Sequence, residues 1–184
     1  MILCSASPRR LELLRQIGIE PDQVFAPNID ETPRLAESPR EYVRRMAREK
    51  LAACPAVDAF VIAADTAVAA GARILPKAET REEASACLAR LSGRRHRVYT
   101  GVAVRGPDGR VGQRVAGSVV GFARLDEADI RSYLESGEWH QKAGGYAIQG
   151  RAAAFIDFVS GSYSGVVGLP LHETANLLKG LGWR

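Results

Sequence analysis

Asp65 stands inside the apolar run Ala63-Ala64-Asp65-Thr66-Ala67. A carboxylate in such surroundings is costly unless it is ion-paired, hydrogen-bonded or bound to a metal. Held beside a scissile bond, it could act as a general base towards water. A structural aspartate capping a neighbouring loop fits the same placement. Ser5-Ala6-Ser7-Pro8-Arg9-Arg10 is a strand-to-helix passage with two hydroxyls and two guanidiniums. Unpaired amides at a helix start, flanked by Arg9 and Arg10, make a phosphate cradle, although a plain cap with two solvated arginines is the alternative. Asn28-Ile29-Asp30-Glu31-Thr32-Pro33 sets adjacent carboxylates in a proline-bounded loop. Near phosphate such acids can hold Mg²⁺, which takes oxygen ligands and keeps several waters; ordinary loop acids read the same way.

Of 25 basic side chains only four are lysine, namely Lys50, Lys77, Lys142 and Lys179. Where surface charge is all that is needed the chain uses arginine, so a lysine can mark a place that wants a compact ammonium; coding bias gives the same scarcity. Lys50, ending Met46-Ala47-Arg48-Glu49-Lys50, and Lys77, after Ile74-Leu75-Pro76, are candidates for neutralising phosphate oxygens. In Lys142-Ala143-Gly144-Gly145-Tyr146-Ala147-Ile148-Gln149-Gly150 the glycines let backbone approach a ligand, and Gln149 can donate and accept towards a base edge. The segment lacks the Gly-Lys-Ser/Thr of a P-loop and does not match the dinucleotide fingerprint. An irregular turn is its plain reading.

The elements that must position these groups are legible from caps and periodicity. Leu3 to Ser5 reads as a short strand. A helix is predicted from Pro8, with Ser7 as N-cap, a stripe of Leu11, Leu14 and Ile17, and Gly18 as its stop. Ser38-Pro39-Arg40-Glu41 and Thr80-Arg81-Glu82-Glu83 are capping boxes that open helices to about Ala53 and to Leu91. Phe60 to Ala70 reads as a buried strand. Two β segments near 97–105 and 111–123 meet at the turn Gly106-Pro107-Asp108-Gly109. Asp126 caps a helix turning Ile130, Tyr133 and Leu134 inward; Ala152–Val159 is a predicted strand and Leu169–Leu181 a closing helix. Alternating strands and helices with one hairpin predict a mixed-sheet α/β (α+β) domain.

At 184 residues the chain suits one domain, residues 1–184, able to bury about two thirds of its unfolded surface. Apolar residues at 46% and charged ones at 25% are those of an ordinary globule. The uncharged stretch 56–71 is broken by Asp58 and Asp65 and is too short and polar to cross a bilayer, so no membrane partner is expected. No basic-then-apolar leader is visible. Cys4, Cys54 and Cys87 lack CxxC spacing and read as small buried apolar groups, which with the missing leader predicts the cytoplasm. The net charge of +4 and the Gly93-Arg94-Arg95-His96-Arg97 cluster admit polyanions. Aromatics are not interleaved with the basic residues, so a local phosphate pocket suits the pattern better than extended nucleic-acid binding. His96, His140 and His172 sit in no metal-ligand spacing, and no Gly-x-Ser-x-Gly elbow is present, which leaves covalent serine and cysteine catalysis without support.

Taken together the segments resemble the Maf family of nucleotide pyrophosphatases, from Ser5 to the terminal helix. The marks are Ser5-Ala6-Ser7-Pro8-Arg9-Arg10, Ile29-Asp30-Glu31, Ala47-Arg48-Glu49-Lys50, Asp65-Thr66, Lys77, Ser92-Gly93, His96 to Val102, Lys142 to Gly150, and Val167-Gly168-Leu169-Pro170. The resemblance implies two lobes around a deep cleft, akin to inosine triphosphate pyrophosphatases, and attack of water on the α,β-phosphoanhydride of a nucleoside triphosphate. It implies a divalent cation, Mg²⁺ or Mn²⁺, with Glu31 and Asp65 as metal partners and Asp65 as catalytic acid–base. Ser5, Arg10, Lys50 and Lys77 then resemble phosphate ligands. Arg9, Thr66 and Gln149 are similar to the dTTP/UTP branch, whereas the 7-methyl-GTP branch carries tryptophan, glutamine and glutamate there. A neutral glutamine suits the N3–H and carbonyls of uracil. The alternatives are 7-methyl-GTP as substrate and a nucleotide-sensing regulator of septum formation. Family members commonly form homodimers. This chain departs from the pattern at Pro76-Lys77-Ala78, where Lys-Pro is usual, and at Ala67, where a bulkier aliphatic residue is usual.

Overall fold

Ile2–Cys4 (β1) and Val61–Ala70 (β3) are apolar at successive positions because both are central strands covered on two faces. The computed structural model describes residues 1–56 and 58–184. β1 lies parallel to both Gln23–Phe25 (β2) and β3. Arg73–Ile74 (β4) folds back on the far end of β3. The other edge of β3 pairs antiparallel with Arg95–Arg105 (β6), which forms a long hairpin with Val111–Phe122 (β7); Ile156–Ser160 (β9) closes the sheet. The order is β2-β1-β3-β6-β7-β9, and Lys77–Ala78 (β5) and Lys142–Ala143 (β8) form a separate ribbon. The expected mixed α/β architecture is present.

Strand alternation divides the core. Val61, Ala63 and Ala67 of β3 pack under the helix Pro39–Ala53 (α2), against Val43, Met46, Ala47 and Leu51. Ile62, Ala64 and Val68 face the opposite layer. That layer holds the helices Pro8–Gln16 (α1), Arg81–Leu91 (α3), Glu127–Glu135 (α4), Tyr163–Val167 (α5) and Leu171–Gly180 (α6). α2 lies unusually close to the sheet at Gly101, where a Cβ would collide with the Val43 carbonyl. Gly101 is the register partner of Asp65, so this contact sets how far a side chain on α2 must reach to meet that carboxylate.

The three capping boxes, at Ser38, Thr80 and Asp126, form with side-chain and backbone bonds in both directions. Four local expectations differ. The Ser7 hydroxyl does not cap α1; its backbone N–H donates to Ser5 Oγ at 3.2 Å. Ile17, at the C-cap, is 39% exposed, and the buried face of α1 runs through Arg10, Leu13 and Leu14. The predicted strand 152–159 divides into a 3₁₀ turn, Arg151–Phe155, and β9, because an alanine run has little β preference. The closing helix starts at Leu171, two residues later than expected, since Gly168 with φ 146° separates it from α5.

His96 on β6 is buried and shares a 2.8 Å hydrogen bond with the Tyr146 hydroxyl, which anchors the glycine-rich segment after β8 to the sheet. Gly144 and Gly145 have φ of +67° and +69°, and a Cβ at either would press on Val68 or on the α3 backbone at Ala84. Burial holds the imidazole down to about 4. An unfolded histidine takes its proton near 6.5, so the buried ring stabilises the fold fully above that pH and progressively less as pH falls towards 4. Urea denaturation should show wild type losing up to about 3 kcal/mol more than His96→Gln across that window. Equal slopes for the two proteins would remove His96 as the cause.

Candidate active site

Pairing of β1 with β3 ends at Cys4–Ala63, and β4 resumes on that edge only at Ile74–Ala69. Between them residues 64–68 of β3 have no strand on that side among the described residues. From β1 the chain runs through α1 to β2 on one side and returns through α2 to β3 on the other, so the gap lies at a topological switch point beyond a carboxyl strand end. A cleft of about 760 Å³ opens there. Ser5, Arg9, Arg10, Glu31, Lys50, Asp65, Thr66, Lys77 and Gln149 all line it, drawn from six separate stretches of chain.

Asp65 and Thr66 leave β3 on opposite faces. Asp65 points under α2 and is 2% exposed. Lys50, in the last turn of α2, places Nζ 2.6 Å from Asp65 Oδ1 and 2.7 Å from Glu31 Oε1, so one buried ammonium joins two carboxylates. Lys77 on β5 pairs with the other Glu31 oxygen. Burial alone would raise the Glu31 carboxyl, but hydrogen bonds from Lys50 and Lys77 outweigh it and hold the group at about 2. Asp65 Oδ2 is buried without a partner among the described residues.

On the other face Arg10 is buried, donating through Nε to the Gly168 carbonyl and through Nη1 to Ser5 Oγ, both at 2.8 Å. Burial pushes its guanidinium below the ordinary value, opposed by the charges of Asp65 and Glu31. Thr66 Oγ1 lies 3.0 Å from Thr100 Oγ1, and Thr100 donates to the Gly165 carbonyl at 2.7 Å, tying the strand gap to α5. At the mouth sit Arg9 and exposed Gln149, with Lys142 and Glu138. Arg9 and Lys142 are each pushed down, first by burial and then by a like charge: Arg10 for Arg9, and Arg9 for Lys142. Three of the four lysines thus line one cleft. The unusual Pro76-Lys77-Ala78 is accommodated because Ala78 pairs with Lys142 in the β5–β8 ribbon, while Gly144 N–H donates to the Pro76 carbonyl at 2.9 Å.

Reading residue types missed the groups that act through neighbours. Thr100 and Gly168 are marked only by motif position, and Tyr42, whose hydroxyl donates to the Glu31 carbonyl at 3.0 Å, looks like plain helix core. For a divalent cation the chain offers two carboxylates. No group of three or more His, Cys, Asp or Glu in ligand arrangement occurs among the described residues. Glu31 and the unpartnered Oδ2 of Asp65 fit a hard cation that takes one or two carboxylates and fills its shell with phosphate oxygens and water. The three cysteines are free and buried. Among the described residues no helix is long and apolar enough to cross a membrane.

The Maf-like protein family model matches residues 1–181. The dTTP/UTP pyrophosphatase of Hyphomonas neptunium is 58% identical, over 100% of this chain and 96% of its own. That of Caulobacter vibrioides is 54% identical over the same shares. Among solved structures, the Staphylococcus aureus Ham1 protein matches 66% of this chain and 71% of its own, at 19% identity and a TM-score of 0.46.

Since Lys50 and Asp65 are 7% and 2% exposed at the side chain, Lys50→Met strands a buried carboxylate. It should destabilise the protein by about 3–5 kcal/mol at pH 7 in urea denaturation. Adding Asp65→Asn should recover most of that loss. A single variant as stable as wild type would contradict the bridge.

Proposed function

The chain belongs to the Maf family, and from that premise we propose that it hydrolyses dTTP and UTP to the nucleoside monophosphate and pyrophosphate. The observation that carries the reading is the meeting of Arg10, Lys50 and Lys77, distant in sequence, around a buried aspartate in a cleft of nucleotide size. The names of the two bacterial relatives, similar over their whole length, support the same substrates. The chain works as one domain in the cytoplasm, where three unpaired buried thiols are at home, and as a homodimer in keeping with the family habit.

In this reading Ser5, Arg10, Lys50 and Lys77 bind the triphosphate, fixing the α-phosphorus opposite Asp65 and neutralising charge as it develops. Asp65 orients a water molecule and takes its proton as the water oxygen bonds to the α-phosphorus and the bond to the β-phosphate oxygen breaks. Glu31 and Asp65, with the substrate phosphates, would hold Mg²⁺ or Mn²⁺, which supplies further neutralisation of phosphate charge. The apolar walls around Asp65 exclude bulk water and strengthen these interactions. At the mouth Gln149 pairs with the N3–H and a carbonyl of uracil or thymine, while Arg9 and Thr66 complete the pyrimidine selection.

A pyrophosphate-release screen over natural and modified triphosphates, with Mg²⁺ and with Mn²⁺, should rank UTP and dTTP above purine triphosphates. Asp65→Asn should lower kcat by about 10³-fold or more while nucleotide binding persists. Near-normal turnover in that variant would remove Asp65 from the base role. Gln149→Glu should shift base preference away from pyrimidines, and an unchanged ranking would remove Gln149 from selection.

A further inference from the structure

Glu31 lies on an irregular segment between β2 and α2, yet its carboxylate must be held to within a fraction of an ångström to bridge two lysines. The segment contributes no regular hydrogen-bond ladder of its own. Its fixed points come from α2. Tyr42 holds the Glu31 carbonyl at 3.0 Å. One turn further on, Arg45 grips the Glu37 carboxylate through Nε and Nη2, both at 2.6 Å. Its Nη2 also donates to the Thr32 carbonyl at 3.1 Å, and its Nη1 to Glu49 Oε2 at 3.2 Å. The Arg45 and Glu37 side chains are 13% and 9% exposed, far more sheltered than an ordinary surface ion pair. The guanidinium also lies 5.6 Å from the centroid of the Tyr42 ring. Arg45 is absent from the cleft wall and touches none of the groups that meet substrate.

We propose that Arg45 is a positioning residue for Glu31: by holding the Thr32 carbonyl and the Glu37 carboxylate against α2, it fixes the backbone that follows Glu31 directly, while Tyr42 holds the Glu31 carbonyl itself, and so presents the Glu31 carboxylate to Lys50 and Lys77. A planar fork with several donors suits this task, since it reaches two acceptors on the segment and one on its own helix from a single rigid group. Tyr42, Arg45, Glu49 and Lys50 occupy one face of α2, so the helix that carries the bridging lysine also carries the clamp for its partner. The inference rests on the role given above to Glu31.

A double-mutant cycle in kcat for UTP hydrolysis separates the two ideas. Glu31→Gln alone should slow turnover by roughly 100-fold. Arg45→Met, close to arginine in length but without donors, should slow it by roughly 10-fold or more, the scale of a modest misplacement. In the Glu31→Gln background Arg45→Met should add almost nothing, because a displaced carboxylate and an absent one are equivalent. Independent, multiplying losses would show that Arg45 acts on the fold at large and would overturn the proposal, as would an unchanged kcat for Arg45→Met. A fully active Glu31→Gln would instead sink the reading of Glu31, and the clamp with it. Should Arg45→Met fail to fold, the isosteric Glu37→Gln carries the same cycle with the same expected non-additivity.

Discussion

One buried ammonium governs this molecule. Lys50 stands between Asp65 and Glu31, less than 3 Å from each. Two carboxylates this close would otherwise repel one another, and burying a carboxylate so deep in an apolar sheet is costly without a partner. The arrangement is a poor way to gain stability, since removing charges from water costs about as much as their attraction returns. Its value is that charged, reactive groups wait in a fixed geometry. Several otherwise unrelated features follow from it. α2 lies against β6 at Gly101, which brings its last turn within a lysine's reach of β3. The Ser38 capping box fixes where that helix starts and hence which of its residues faces the sheet.

The fold supplies the place for these charges by leaving part of one strand uncovered. β1 is three residues long and β4 two, and neither covers the middle of β3. Had β1 run further, Ser5 and the start of α1 would sit in the sheet and not at the cleft. Because alternate residues of β3 point to opposite faces, Asp65 joins α2 while Thr66 joins Thr100 and, through it, α5, the side on which the buried Arg10 holds Gly168. Lys50 and Lys77 thus share one side with the carboxylates they pair with, and Arg10 faces them from the other, with the open edge between.

Much of this was legible in the chain. An aspartate in so apolar a strand announces itself by cost, and scarce lysines proved to cluster at the cleft. The capped helices and the β6–β7 hairpin were readable because caps and turn residues act locally. What stayed hidden depends on tertiary partners. β4, β5 and β8 are two-residue pairings that no propensity encodes. The Ser7 hydroxyl makes no capping bond, and the first-turn amide of Arg10 donates to the Ser7 carbonyl at 3.2 Å instead. Ile17 and Leu13 exchange burial because the helix ends one residue before the stripe does. Arg45 is one of many arginines, and its role appears only when the irregular segment is seen folded over α2.

The most direct measurement is a crystal structure of Asp65→Asn with Mg²⁺ and α,β-imido-UTP, whose bridging nitrogen resists cleavage. The triphosphate should lie in the gap along β3, with its oxygens on Arg10, Lys50 and Lys77, the α-phosphorus facing residue 65, and the uracil edge at Gln149. A nucleotide bound elsewhere, or one whose α-phosphate lies away from residue 65, would contradict the proposed function.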